Sequence, residues 1–445
     1  MSKLLYNAEV VTGEPGSRPI KGGWVLIDGE RIAAVGKGAP PQADEAFDMA
    51  GDLLMPGMID THVHFRDPGL TQKADIASES AAALAGGVTS FIDMPNTVPP
   101  TVTVEAWEAK MKRAAEVSLA NYAFYIGATN SNLDSELLRA DYSQIPGVKL
   151  FLGSSTGNLL VDDDSALARL FSEVKVPIAV HAEDNARIAM HARMAREIFG
   201  DEPVPMEFHP VIRDARACVD ASLAAIEMAR KGGARLHLLH LSTAAETRLL
   251  RADKPDWLTA ETCIQYLTFS DADYEQLGAR IKCNPAIKSS TDRTALRKAL
   301  KDGVIDVVAS DHAPHLLSEK QGDALSAPSG MPNMQFQLPL LLDLFKPAEV
   351  ARFAASRPAE IFGIEGRGVL RPGAFADVVR VGRRSHEISD SDSLSRCAWT
   401  PAAGLTTGHV VEATYVNGTL AYEHGRGVLP VKAAKPLTFN HNLKK

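Results

Sequence analysis

The sequence predicts an α/β architecture: a (β/α)8 TIM-like barrel carrying a small β-sandwich domain built from both chain termini. Three observations predict it. Through the middle of the chain, eight short apolar runs alternate with stretches of helical pattern, as βα units around a parallel sheet require. Runs rich in β-formers stand at both ends of the chain. Finally, 445 residues suffice for a barrel of about 250 residues and an accessory module.

The N-terminal part, residues 1–54, carries Trp24-Val25-Leu26-Ile27-Asp28-Gly29 and Arg31-Ile32-Ala33-Ala34-Val35-Gly36, with Asp28-Gly29 suited to a tight hairpin turn. Comparable pieces return in residues 366–445, at 376–381 and 410–418, so the two ends are expected to pair into one β-module. Residues 55–365 lie between them as the barrel. Its first strand runs into His62, and the others are expected at 88–93, 121–128, 148–152, 177–181, 236–241, 257–262 and 305–310. Helices fall between the strands. Those at 74–85 and 215–231 end in Gly86-Gly87 and Gly232-Gly233, where a helix C-terminus calls for left-handed backbone. A doubly wound open sheet is the rival arrangement, but eight βα units favour closure. No low-complexity tract or short repeat is evident.

Composition narrows the class of partner. A hydrophobic share of 45% and a charged share of 23% fit a folded domain and exclude disordered and fibrous classes. The formal charge of −8 lacks the concentrated positive charge of a nucleic-acid or acidic-membrane surface, which leaves small molecules as the expected partners. The opening residues soon turn polar, no stretch approaches about 20 uninterrupted apolar residues, and the expected location is the cytoplasm. Cys218, Cys263, Cys283 and Cys397 form no C-x-x-C pair and read as free thiols of a reducing compartment.

The candidate chemistry lies at the ends of the expected strands. His62 and His64 are two apart, and on a strand that spacing sends both imidazoles to one face, where one metal could use both. An isolated H-x-H is a weak signal, but here it closes the apolar run Met55-Pro56-Gly57-Met58-Ile59-Asp60. Lys149, His181, His240 and Asp311 each follow another apolar run. A lone histidine in such a place is usually a satisfied core or rim residue. Four histidines, an aspartate and a lysine converging on one rim point instead to metal-assisted hydrolysis. Zinc takes imidazole and carboxylate ligands, and two metals roughly 3.5–4 Å apart need an anionic bridge. As an ammonium Lys149 would repel them, but its neutral amine can react with carbon dioxide to give a bridging carbamate. By strand parity His237 and His312 are expected to face the helix layer. His191 and His209 fall outside the rim, and His386, His409, His424 and His441 belong to the C-terminal region.

The stretches His62-Val63-His64-Phe65-Arg66-Asp67-Pro68-Gly69, Gly86-Gly87-Val88-Thr89, Asp93-Met94-Pro95-Asn96-Thr97 and Ser310-Asp311-His312-Ala313-Pro314-His315 resemble the dihydroorotase family of the amidohydrolase superfamily in order and spacing. The likeness covers nearly the whole chain. It implies two zinc ions per subunit, one on His62, His64 and Asp311 and the other on His181 and His240, bridged by carbamylated Lys149. Some relatives bridge through an aspartate just after the lysine, but Phe151-Leu152-Gly153-Ser154-Ser155-Thr156 has no carboxylate. The resemblance also implies that Arg66, Asn96 and His315 bind the substrate carboxylate and Asn284 the pyrimidine ring. Arg66 offers a planar fork suited to that job, whereas Asn96, His315 and Asn284 could each be ordinary turn residues.

The activity so implied is reversible hydrolysis of dihydroorotate to N-carbamoyl-L-aspartate, the ring-closing step of pyrimidine synthesis in reverse. A hydroxide between the metals is expected to attack, with Asp311 as general base and then acid. The expected partners are this small molecule and further copies of the chain, a dimer before other homo-oligomers. Two departures concern the pocket wall: Cys263-Ile264-Gln265-Tyr266 stands where many relatives have a His-His pair, and Gly330-Met331-Pro332 replaces a familiar Pro-Gly. Polar residues 316–331 suggest a mobile loop over the site. Hydantoinase and allantoinase share the ligand set, and a non-catalytic scaffold relative would be expected to lose ligands. Arg66 favours a substrate bearing a carboxylate.

Overall fold

The computed structural model describes residues 1–152, 159–250 and 254–442. Its parallel strands follow the apolar runs: Met58–Val63, Val88–Asp93, Asn121–Phe124 with Ile126–Gly127, Val148–Phe151, Ile178–His181, Leu236–Leu238, Leu258–Cys263 and Val307–Ala309. The third run is interrupted at Tyr125. Its first half pairs with the second strand and its second half with the fourth. The ring closes where Val63 bridges His312 and the His64 N–H donates to the His312 carbonyl at 2.7 Å. An open doubly wound sheet is thereby excluded.

Two strands are shorter than their apolar runs suggest. The sixth ends at Leu238 and the eighth at Ala309, because the chain turns through positive φ at His240 (42°) and Asp311 (48°) and leaves the ladder. The helices keep their expected signals. Ile76–Ala85 starts on the Asp75 cap and is followed by Gly87 at φ 76°, while Ala215–Gly232 starts on Asp214 and stops at left-handed Gly233. No helix among the described residues is long and apolar enough to cross a membrane.

Inside the barrel, Ile59, Ile92, Ala123, Tyr125, Ala179, Leu239 and Val307 form one apolar cluster with Phe362 and Leu437. Leu437 lies on the start of the third strand, where its N–H donates to the Tyr122 carbonyl at 2.9 Å. The end opposite the strand C-termini is therefore packed shut, and chemistry is left to the other mouth.

Both termini build the second module, as expected. Leu53–Pro56 pairs antiparallel with Val378–Glu387 and parallel with Ser2–Val10. The expected sandwich is hydrogen-bonded as one nine-stranded sheet curled around its own core. Ile32, from the Arg31–Lys37 edge strand, shares that core with Val25, Leu54 and Tyr415. Arg367, Asp377, Asn417 and Asn121 form a buried polar cluster that ties this sheet to the barrel.

Candidate active site

His62 sits in the last turn of the first strand and His64 just beyond it. Their Nε2 atoms lie 3.3 and 3.2 Å from Asp311 Oδ1. Each ring is fixed from behind, because His62 Nδ1 is 2.6 Å from Glu261 Oε1 and His64 Nδ1 is 2.6 Å from Asn96 Oδ1. A nitrogen that donates to an oxygen leaves the other nitrogen with its lone pair. Both Nε2 atoms are therefore set as ligands.

His181 ends the fifth strand and His240 follows the sixth. His181 Nδ1 and His240 Nε2 meet at 2.7 Å, while His181 Nε2 lies 3.2 Å from Glu183, itself gripped by Arg213. Lys149, in the fourth strand, is fully buried, and its Nζ has no hydrogen-bond partner among the described residues. All six expected ligands line one cavity of about 280 Å³. Four imidazoles, a carboxylate and an orphaned amine are a donor set that fits divalent metal.

The backbone explains how they converge. Register across four strands aligns Lys149, Ala179, His237 and Thr259, so His237 points into the barrel and not toward the helices as strand parity suggests. It bonds Thr259 Oγ1 at 2.8 Å and lies 3.4 Å from Glu261. Parity fails here because the strand stops at Leu238, and the left-handed turn at His240 swings that ring into the site. Asp311 enters by the same device, and Arg66 by a φ of 66°. His312 does face the helix layer, 2.7 Å from Glu79.

Glu261, which orients His62 from behind, is a site residue that reading the sequence missed. Its signal was an acid within an otherwise strand-like run, Leu258–Cys263, at the parity of Cys263. Burial alone would raise this carboxyl, but His62 and His237 hold it down to about 2. Burial likewise works against charge on Asp311, and His62 and His64 override it. Burial lowers Lys149 to about 7 against the pull of Glu261 and Asp311, which makes the neutral amine accessible. Among the described residues two groupings could hold an ion, His62 with His64 and Asp311, or His62 with Glu261 and Cys263. The first opens on the cavity. The second lies behind His62, and burial pushes the Cys263 thiol well above its ordinary value, so the first is the better site.

The expected substrate contacts Arg66, Asn96, Asn284 and His315 line the same cavity as the ligands. Arg66 is buried, with Nε donating to the Pro314 carbonyl at 3.1 Å and Nη2 3.2 Å from His315 Nε2. Asn96 and Asn284 line the same cavity, and Asn284 Oδ1 accepts from Ser329 Oγ at 2.9 Å. Of the two sequence departures, only Gly330 lines it. Tyr266 donates to the Pro285 carbonyl at 2.8 Å and so supports the turn bearing Asn284, while Gln265 accepts from Asn333 at 3.0 Å. Met331 is buried beneath the site, its carbonyl accepting from Ala313. The segment 316–331 is pinned by Lys320, whose Nζ reaches the carbonyls of Lys282, Pro328 and Gly330. Residues 153–156, read above for their lack of a carboxylate, lie outside the described residues.

Known proteins resemble this chain in sequence and in fold. The Amidohydrolase family model matches residues 53–421. A dihydroorotase of Halobacterium salinarum is 36% identical, the match covering 90% of this chain and 93% of that one. A dihydroorotase of Methanosarcina acetivorans is 33% identical over 86% of this chain and 84% of its own, and an allantoinase of Bacillus velezensis 31% over 90% of each. Among solved structures, an L-hydantoinase of Arthrobacter aurescens superposes with a TM-score of 0.92 at 24% identity, covering 98% of this chain and 99% of its own. A dihydropyrimidinase of Brevibacillus agri gives 0.89 at 24%, over 99% and 100%. At that identity the structures speak for the barrel alone. With a family match over most of its length and relatives above 30% identity across nine-tenths of it, the chain belongs to the amidohydrolase family.

Proposed function

We propose that this protein is a dihydroorotase, a metal-dependent hydrolase that opens the cyclic amide of dihydroorotate to N-carbamoyl-L-aspartate and closes it in reverse. The observation that carries the reading is Arg66: a buried guanidinium lining the same cavity as the metal donors, with Nε donating to a carbonyl and Nη2 beside the His315 imidazole. A cation taken out of water calls for an anion, and a substrate carboxylate supplies one. Relatives named dihydroorotase over most of the chain support the same reading.

His62, His64 and Asp311 would hold one zinc ion, His181 and His240 the other, and Lys149 as a carbamate would bridge them. When bound, the metals supply Lewis-acid polarisation of the ring carbonyl and an acidified water. Arg66 and His315, with Asn96, grip the carboxylate, and Asn284 meets the ring. Asp311 takes the proton of the attacking water as the new C–O bond forms, then delivers it to the ring nitrogen as the C–N bond breaks. In synthesis Asp311 runs the same transfer backwards. The four free cysteines support a cytoplasmic location, and a homodimer is the assembly we expect.

The second reading is an allantoinase- or hydantoinase-type activity, favoured by the Bacillus velezensis relative and the barrel neighbours. Assay of the purified, metal-analysed protein on dihydroorotate, hydantoin and allantoin separates them. We expect zinc in the protein and turnover of dihydroorotate well above the other two. Equal or faster turnover of hydantoin or allantoin would overturn the assignment.

A further inference from the structure

Beside the Arg66 wall lies a second cation, Lys73, which the preceding mechanism does not use. After the first strand the chain folds back in two successive turns, Leu70 N–H to the Arg66 carbonyl and Lys73 N–H to the Leu70 carbonyl, each at 3.0 Å. His315 is thereby flanked on both sides. Lys73 Nζ is 3.1 Å from its Nδ1, and Arg66 Nη2 is 3.2 Å from its Nε2.

An ammonium has no lone pair and can only donate, so Nδ1 accepts and the neutral ring carries its hydrogen on Nε2. Burial, reinforced by the charges of Arg66, Lys73 and Lys320, keeps that ring neutral, with its value held down to about 2. The Nε2–H reaches the Ser329 carbonyl at 3.1 Å and faces a guanidinium that also only donates. Nε2–H, already held by the Ser329 carbonyl, and Arg66 Nη2 thus stand side by side at the cavity wall as a pair of donors, and a ligand oxygen set between them would share the Nε2 hydrogen with Ser329. An anionic oxygen from a ligand is what such a pair takes.

We propose that Lys73 is a specificity-determining positioning residue: by donating to His315 Nδ1 it makes His315 Nε2 a donor beside Arg66, so that this end of the pocket selects a carboxylate over its uncharged analogue. The inference rests on the dihydroorotate reading and extends it to a residue outside the proposed carboxylate grip. Lys73 also pairs with Glu319 at 3.2 Å, and Glu319 accepts from the Leu316 N–H at 3.0 Å. If pinning that turn were its whole role, removing Glu319 would do the same damage.

The test measures KM and kcat for dihydroorotate and for dihydrouracil, the same ring without the carboxylate, with metal content and unfolding midpoint recorded for every variant. Lys73→Met is expected to raise KM for dihydroorotate about tenfold or more, as loss of a charged hydrogen bond would, with kcat and metal content nearly unchanged. Dihydrouracil turnover should not respond. Lys73→Gln, which keeps an N–H for Nδ1 without the charge, should recover most of the loss, and Glu319→Gln should resemble wild type. Lys73→Met combined with His315→Ala should be no worse than His315→Ala alone, within about threefold. An unchanged KM in Lys73→Met, a Glu319→Gln defect equal to it, no recovery in Lys73→Gln, or additive losses in the double variant overturns the inference. Wild-type preference for dihydrouracil overturns the functional reading with it, whereas preference for dihydroorotate with an indifferent Lys73→Met removes only the role of Lys73.

Discussion

At the residue scale, His62 is held by a carboxylate that does not line the cavity. Glu261 accepts from His62 Nδ1 and from Thr61 Oγ1 and is itself fully buried, so it fixes both the tautomer and the tilt of one proposed ligand. Replacing it with Gln should weaken metal binding about 10- to 100-fold while leaving the fold in place, read by chelator competition. An unchanged affinity would mean that Glu261 is only a core anion. Asp311 carries the proton in the proposed chemistry. Asp311→Asn should therefore cut kcat by about 10²- to 10⁴-fold with little effect on KM for dihydroorotate, and a kcat within a few-fold of wild type would remove it from that role.

At the element scale, the loops after the first and second strands act as one piece. Asp93 Oδ1 accepts from the Phe65 N–H at 2.8 Å, and Asp93 pairs with Lys110, which also donates to the Met94 carbonyl at 3.1 Å. The pair is fully buried and joins the strand bearing His62 to the turn bearing Asn96. Lys110→Met would strand a buried carboxylate, and denaturant unfolding should show a loss of about 3–5 kcal/mol. A loss below about 1 kcal/mol would mean that water reaches Asp93. The same loop demands glycine at position 69, where φ is 88° and a Cβ would stand 1.9 Å from the Val98 carbonyl. Gly69→Ala should displace Arg66 and raise KM for dihydroorotate more than it changes metal content; an unaltered KM would show that the loop absorbs the clash.

At the scale of the whole molecule, the proposed metal centre would join strands one, four, five, six and the turn after eight, so ligand removal should be felt globally. Metal occupancy at about 100 times Kd contributes about 2.7 kcal/mol, and stripping zinc should lower the melting temperature in a way that added zinc reverses. A midpoint indifferent to chelation and to zinc would argue that the donors do not hold metal. The β-module enters the same balance, since Asn121 of the third strand bonds Asp377 and Asn417 of the terminal sheet.

The sequence by itself determined the alternation of strand and helix, the union of the two termini and the residue types gathered at one rim, because these follow from local periodicity and from what ends each apolar run. His62 and His64 were legible through their spacing and the apolar run that they close. The tertiary structure decided what parity could not reach. His237 turns inward, and His240 and Asp311 enter through left-handed backbone, because alternation holds only while a strand lasts. Glu261 behind His62, and Lys73 against His315, join residues roughly 200 or more positions apart. Such pairings exist only once the barrel has closed and buried the groups that then need one another.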